Sequence, residues 1–279
     1  MKKINFLAGL LVLVTLTGCA STSKLVRGDF KMEELLIKTD SKQIYGNVFK
    51  PENLQEKHPL MIFSHGYNGV GSDFAMDGAF FAQYGFVCYS YDFCGGSVRS
   101  RSSGKTTEMT IYSEKQDLLD VIDYFSQQDY IDTENIILYG GSQGGFVTAL
   151  TAAELKEKIK AVILIYPALC IPDNWNDTYK TEEEIPSFLN FWGMPLGRDF
   201  FLTARSIDVY NTINGYEGPV YIFHGTNDQI VPLAYSQKAQ KIYKNAQLVV
   251  MPGEGHGFTP EGSTMVRNYS LKFLRSVLK

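Results

Sequence analysis

Tyr139-Gly140-Gly141-Ser142-Gln143-Gly144-Gly145 is the segment of this chain best suited to nucleophilic chemistry. It follows the apolar run Ile136-Ile137-Leu138 and opens a stretch with helical spacing at Phe146, Leu150, Ala153 and Leu155. That order predicts strand, sharp turn, helix. Gly140, Ser142 and Gly144 complete the pattern G-x-S-x-G. A serine at the tip of so tight a turn is held in strained backbone geometry, and small neighbours let strand and helix pass close to it. Its hydroxyl then stands above a sheet, with a helix N-terminus beneath as a source of N–H groups for an oxyanion.

A serine hydroxyl is a poor nucleophile until a base takes its proton. The histidines are His58, His65, His224 and His256. His58 precedes Pro59 in a polar stretch and reads as a surface loop residue. His65 and His224 each end an apolar run before a glycine and read as shapers of strand-end turns. His256 lies in the glycine-rich loop Met251-Pro252-Gly253-Glu254-Gly255-His256-Gly257-Phe258, after the strand-like Gln247-Leu248-Val249-Val250. A mobile base belongs there in the chain order serine, acid, histidine. The competing role is a solvated loop histidine; Ser142 upstream favours the base. The acid that orients it is expected at Asp228, after the apolar run Val220-Tyr221-Ile222-Phe223 and before Pro232. A plain turn residue is the other role for Asp228, and Glu254, two residues before His256, is the competing acid.

Taken together these segments resemble the α/β-hydrolase superfamily over roughly residues 30 to 279. The resemblance implies a doubly wound, mostly parallel eight-stranded sheet with an inserted lid. His65-Gly66-Tyr67-Asn68-Gly69, after the strand-like Leu60-Met61-Ile62-Phe63, resembles the oxyanion-hole loop of bacterial esterases. Carried over by position, the main-chain N–H groups of Tyr67 and Gln143 would hold the oxyanion. The family's Asp-x-x-Gly-x-Gly-x-Ser loop is altered here to Asp92-Phe93-Cys94-Gly95-Gly96-Ser97. The motif pair is similar to cinnamoyl (feruloyl) esterases, which implies a serine esterase for short or aromatic acyl esters. Acetyl-xylan and cephalosporin-C deacetylases resemble it too, without their Arg-Gly-Gln-Gly element. Serine peptidases of the fold, such as prolyl-oligopeptidase-like enzymes, are the third reading, although their elbows carry Trp or Tyr where this chain has Gln143. A silent binding protein is the fourth, and it normally lacks a triad residue.

The elements needed to position these groups are legible as well. Strands are expected near residues 34–37, 44–49, 60–63, 86–91, 136–139, 161–166, 220–223 and 247–250. Helices are expected near residues 73–84, 112–127, 143–155, 233–243 and 263–277. Early strands joined without helices suggest an antiparallel start, and the later alternation a parallel sheet. Residues 170–210 break the alternation, hold both tryptophans, and sit where this superfamily often carries a lid. Most aromatics there are expected to pack the insert; Trp175 and Tyr179, with Tyr166 and Phe258 beside the triad segments, are the expected substrate contacts.

A length of 279 residues suffices for one large domain, and a net charge of −4 without charged blocks gives nucleic acid no electrostatic hold. No metal-ligand spacing and no phosphate-cradling loop is present, so no cofactor is implied. The N-terminus carries an address. Met1-Lys2-Lys3 is basic, Ile4 to Leu16 is apolar but short for a span, and Leu16-Thr17-Gly18-Cys19 resembles the bacterial lipobox. That implies a leader over residues 1–18, a lipid-carrying Cys19 anchoring an extracytoplasmic enzyme to a membrane, and a tether over residues 19–29. An ordinary secretory signal is the alternative. Of the remaining cysteines, Cys88 reads as a buried hydrophobe, and Cys94 and Cys170 as a candidate pair left open.

Overall fold

The computed structural model describes residues 27–278. The expected leader, Cys19 and most of the tether lie outside the described residues. The body's contacts begin at Arg27 and Gly28, whose Nε and backbone N–H donate to the side chain and carbonyl of Gln83.

Eight strands form one sheet: β1 (Phe30–Lys38), β2 (Gln43–Pro51), β3 (His58–Ser64), β4 (Val87–Tyr91), β5 (Ile131–Gly141), β6 (Ala161–Ile165), β9 (Val220–Gly225) and β10 (Ala246–Met251). Their order is β1-β2-β4-β3-β5-β6-β9-β10. β1 and β2 pair antiparallel, as do β2 and β4; the later neighbours are parallel. The composition of each strand explains its place. β6, a continuous apolar run, and β4, apolar but for Ser90, are buried along their whole length, as strands covered on both faces must be. β1 mixes Lys and Glu with its apolar residues and fully buries only Ile37, which suits an edge.

Helices cover both faces. α2 (Ile111–Ser126) and α3 (Ser142–Leu155) bring Leu118, Val121, Phe125, Phe146 and Leu150 to one apolar layer. α1 (Ala75–Ala82) and α8 (Pro260–Val277) bring Phe81, Val266, Leu271 and Leu274 to the other. α7 (Leu233–Ile242) joins β9 to β10. Helix starts have local causes. The Thr110 hydroxyl accepts from Ser113 N–H while Ser113 Oγ accepts from Thr110 N–H, a reciprocal cap on α2. Thr259 caps α8 with Pro260 at the first helical position.

Between β6 and β9 the chain forms α4 (Ile171–Thr178), the hairpin strands β7 (Phe188–Phe191) and β8 (Met194–Gly197), α5 (Arg198–Arg205) and α6 (Val209–Ile213). The hairpin turns at Trp192 and Gly193, with φ of +45° and +85°, the paired left-handed geometry of a two-residue hairpin loop. Most aromatics of this insert pack within it: Trp175 meets Phe201 at 4.7 Å and Phe191 at 5.1 Å between ring centroids.

β4 lies on one side of β3 and β5 on the other, so strand order reverses between β3 and β5. A crevice opens at the carboxyl ends of strands at such a reversal. The loop after β3 carries Tyr67, and the turn after β5 carries Ser142.

Candidate active site

Ser142 opens α3 with φ of +52°. For a residue with a Cβ this left-handed geometry costs about 1–2 kcal/mol. The flanking glycines are required by contact. A Cβ at Gly144 would lie 2.2 Å from the Ser64 carbonyl oxygen, and one at Gly140 would lie 2.4 Å from the Gly144 carbonyl oxygen. Gly66 passes so near that its own Cβ would sit 3.1 Å from Ser142 Cβ. The elbow and the loop after β3 are therefore in direct contact.

The three residues expected to act together meet. Ser142 Oγ lies 3.0 Å from His256 Nε2, and His256 Nδ1 lies 2.8 Å from Asp228 Oδ2. The second oxygen, Asp228 Oδ1, accepts the N–H groups of Ile230 at 2.9 Å and Val231 at 2.8 Å. With a carboxylate on Nδ1, the imidazole proton belongs there, and Nε2 is left to accept from the serine hydroxyl. Glu254, the competing acid, instead accepts from the backbone N–H and hydroxyl of Thr259 at the start of α8.

The other histidines have structural partners. His65 is buried; its Nε2 accepts from Phe93 N–H at 3.1 Å, so Nδ1 carries the proton and donates to the Gly66 carbonyl at 2.7 Å. Burial holds its pKa below the ordinary imidazole value, which keeps it neutral and its loop fixed. His224 does more than shape a turn. Its Nε2 donates to the Val231 carbonyl at 2.9 Å and faces Asp228 Oδ2 at 3.3 Å, while Nδ1 pairs with the Ser236 hydroxyl at 2.7 Å. Burial again depresses its pKa. Nothing in the local sequence announces this second imidazole beside Asp228, because Ser236 arrives from α7. His58 is not a loop residue. It begins β3, half-buried, with its ring nitrogens against the carbonyls of Gly85 and Asn53.

The loop after β3 is pinned from below. Asn68 Oδ1 accepts from Val98 N–H at 3.0 Å and Ser97 Oγ at 3.1 Å. Asp92 accepts from Gly71 N–H and Arg101 N–H at 2.8 Å each. The altered segment Asp92–Ser97 thus serves as scaffold for the loop that carries Tyr67. The Tyr67 hydroxyl donates to the Phe191 carbonyl at 2.7 Å and ties this loop to the hairpin. First-turn amides of a helix have no intrahelical acceptor, so the start of α3 presents free N–H groups beside Ser142.

A cleft of about 330 Å³ opens on Ser142 and is lined by Tyr67 and Gln143 on one side and by Trp175, Phe191, Trp192 and Ile230 among others. Its lining residues are all uncharged. Of the four aromatics expected to contact substrate, Trp175 lines the cleft. Tyr179 is absent from its lining and stands in parallel stack with Trp175 at 6.2 Å. Tyr166 and Phe258 do not line it either: Tyr166 packs on the His256 ring at 4.5 Å and on Phe258 at 4.9 Å. Loops after β6 and β10 share the imidazole's side of the site, so these two rings buttress the histidine. Sequence reasoning missed Phe191 and Trp192, whose approach depends on the hairpin. Cys88, Cys94 and Cys170 are all free. Cys94 Sγ points to the Gln43 carbonyl, whereas Cys170 lies on the cleft wall, so the candidate pair does not form.

The structure of Est1E from Butyrivibrio proteoclasticus with ferulic acid bound superposes with a TM-score of 0.77 at 29% identity, covering 85% of this chain and 98% of that one. The bifunctional esterase/perhydrolase DCH of Acinetobacter calcoaceticus is 23% identical over 263 residues, 78% of this chain and 92% of that protein. The acetyl esterase Axe7A of Xylanibacter ruminicola is 25% identical over 235 residues, 77% of this chain and 52% of that protein. The sequence model of the prolyl oligopeptidase family matches residues 72–279, a span that includes Ser142, Asp228 and His256. The chain is a hydrolase of the α/β-hydrolase fold, and it belongs to the prolyl oligopeptidase family.

Proposed function

We propose that this hydrolase is a serine carboxylic-ester hydrolase that takes short or aromatic acyl groups, with cinnamoyl or feruloyl esters as its preferred class. The observation that carries the reading is the chain Ser142 Oγ–His256 Nε2–Nδ1–Asp228, at 3.0 and 2.8 Å, opening on an uncharged cleft. Ser142 attacks the ester carbonyl as His256 Nε2 takes its proton. The imidazolium is stabilised by Asp228. The oxyanion rests on the N–H groups of Tyr67 and Gln143, each such donor lowering the barrier by about 3 kcal/mol. His256 then protonates the leaving alcohol, and water repeats the cycle on the acyl-enzyme.

The ferulic acid held by Est1E supports an aromatic acyl group, and Axe7A, an acetyl esterase, supports a short one. The family's name points to peptidases, but among the described residues no charged one lines the cleft to receive a peptide terminus. Steady-state hydrolysis of methyl ferulate, an aryl acetate, an aryl butyrate and a prolyl amide decides among these. Ferulate is expected to lead, and Trp175→Ala should lower kcat/KM for it roughly tenfold through the lost ring contact while sparing acetate. Preference for acetate would make the enzyme a deacetylase; efficient amide turnover would make it a peptidase.

The proposed enzyme acts outside the cytoplasm, held to a membrane by lipid on Cys19. Labelled palmitate fed to producing bacteria should enter the full-length protein but not a Cys19→Ser variant. Equal labelling of both would remove the anchor from the proposal.

A further inference from the structure

Glu114 carries an ionisable carboxyl into the core, where it is 1% exposed. It sits in the first turn of α2. Its Oε2 accepts from Gln143 Nε2 at 2.8 Å. Gln143 is likewise buried, with the Met109 sulfur 4.0 Å from the same nitrogen. Among the described residues, the ionisable groups near Glu114 are Asp117 on its own helix, Tyr67 from the loop after β3 and Tyr91 from β4. None of them is a cation. A carboxyl buried on one neutral partner weakens a fold relative to apolar residues of the same volume. Its partner is the residue that follows Ser142, whose backbone N–H is one of the two proposed oxyanion donors.

We propose that Glu114 is a positioning residue of the oxyanion hole: by gripping the Gln143 side chain from beneath, it fixes the direction of the Gln143 backbone N–H. This rests on the serine-esterase reading above and adds a residue to it. The grip works with the carboxyl neutral. Burial pushes the Glu114 pKa well above the usual carboxylate range, which favours the neutral carboxyl. Ionisation as pH rises would set a negative charge beside the developing oxyanion and slow the reaction. The same shift has a stability consequence. The folded chain holds a proton that the unfolded chain releases near the ordinary value of 4.5, so stability falls as pH rises from there toward the folded value.

The test compares wild type, Glu114→Gln, Glu114→Ala, Gln143→Ala and the double alanine variant on an aryl acetate, with thermal melts of each across pH. Glu114→Gln keeps an acceptor and is never charged. It should hold kcat within about twofold at neutral pH, keep it at alkaline pH where wild type declines, and melt progressively higher than wild type as pH rises. Glu114→Ala should lower kcat about 10- to 100-fold with KM little changed, since a misdirected donor is felt in the transition state. The double variant should be no slower than the slower single, because both remove one device. Wild-type kcat in folded Glu114→Ala, or losses that multiply in the double variant, would overturn the proposal. If Glu114→Ala does not fold, identical alkaline limbs in wild type and Glu114→Gln overturn it instead. Each of these results leaves the esterase reading standing; turnover that survives Ser142→Ala would remove that reading and this one with it.

Discussion

Ser142→Ala is expected to lower kcat by about 10⁶-fold, with substrate still bound and the fold intact. The size of the effect follows from what the hydroxyl does alone: Oγ is the one atom that both meets the base, at 3.0 Å from His256 Nε2, and opens on the cleft. Residual rate over water would come from the oxyanion donors and from binding. The variant should melt close to wild type, because alanine inherits the same left-handed backbone, φ of +52°. Ser142→Gly separates chemistry from strain. It too should be inactive, but glycine accepts that backbone freely, and after its larger unfolded-state entropy a net gain of roughly 1 kcal/mol remains. The pair of variants therefore predicts equal loss of activity and unequal stability. Steady-state rates and fluorophosphonate labelling read the activity, and melting curves the stability. Alanine variant turnover above about 1% of wild type would show that another nucleophile works.

Much of this site could be read from residue order because its parts are local. Each functional side chain follows a strand that is a continuous apolar run, and each turn is marked by glycine. The crowding found at Gly140 and Gly144, with hypothetical Cβ contacts of 2.4 and 2.2 Å, is the physical content of the G-x-S-x-G pattern. All eight expected strands occur, although β5 starts at Ile131, five residues before the apolar run, where its polar beginning pairs with His58 and Pro59. The elements inside the insert are illegible for the opposite reason. α4 is one short helix, and the hairpin Phe188–Gly197 depends on Trp192 adopting a backbone that tryptophan seldom takes. Tyr166 and Phe258 lie beside the triad segments in sequence, yet which side of the imidazole they face is decided by tertiary packing. Glu114 was invisible because a glutamate in an amphipathic helix looks like a solvated residue until its neighbour in space, Gln143, is known. The chemistry of a turn is written in its own residues; a partner from another element is not.

Asp228→Asn should cost about 10⁴-fold in kcat, and the hydrogen bonds around Asp228 say why the amide cannot imitate the acid. Oδ1 accepts two backbone N–H groups, from Ile230 and Val231, and Oδ2 faces two imidazoles, His256 Nδ1 at 2.8 Å and His224 Nε2 at 3.3 Å. Every neighbour is a donor, which only an acceptor-only carboxylate satisfies. If the asparagine oxygen keeps the backbone pair, its NH2 faces His256, whose Nδ1 must then become an acceptor. The imidazole proton moves to Nε2, against Ser142 Oγ, and the base is lost. The same NH2 opposes the N–H of His224. If the amide turns over, the His256 tautomer survives, but the backbone N–H groups of Ile230 and Val231 confront a donor and lose their partner in a buried site. The first arrangement retains more bonds, so inactivity is the expected outcome, accompanied by a stability loss of about 1–3 kcal/mol for the unsatisfied donors. Rates and melting curves for this variant test both halves. An Asp228→Asn enzyme above a tenth of wild-type kcat would mean that His256 is oriented by another group, and Glu254, now bonded to Thr259, would be the one to examine.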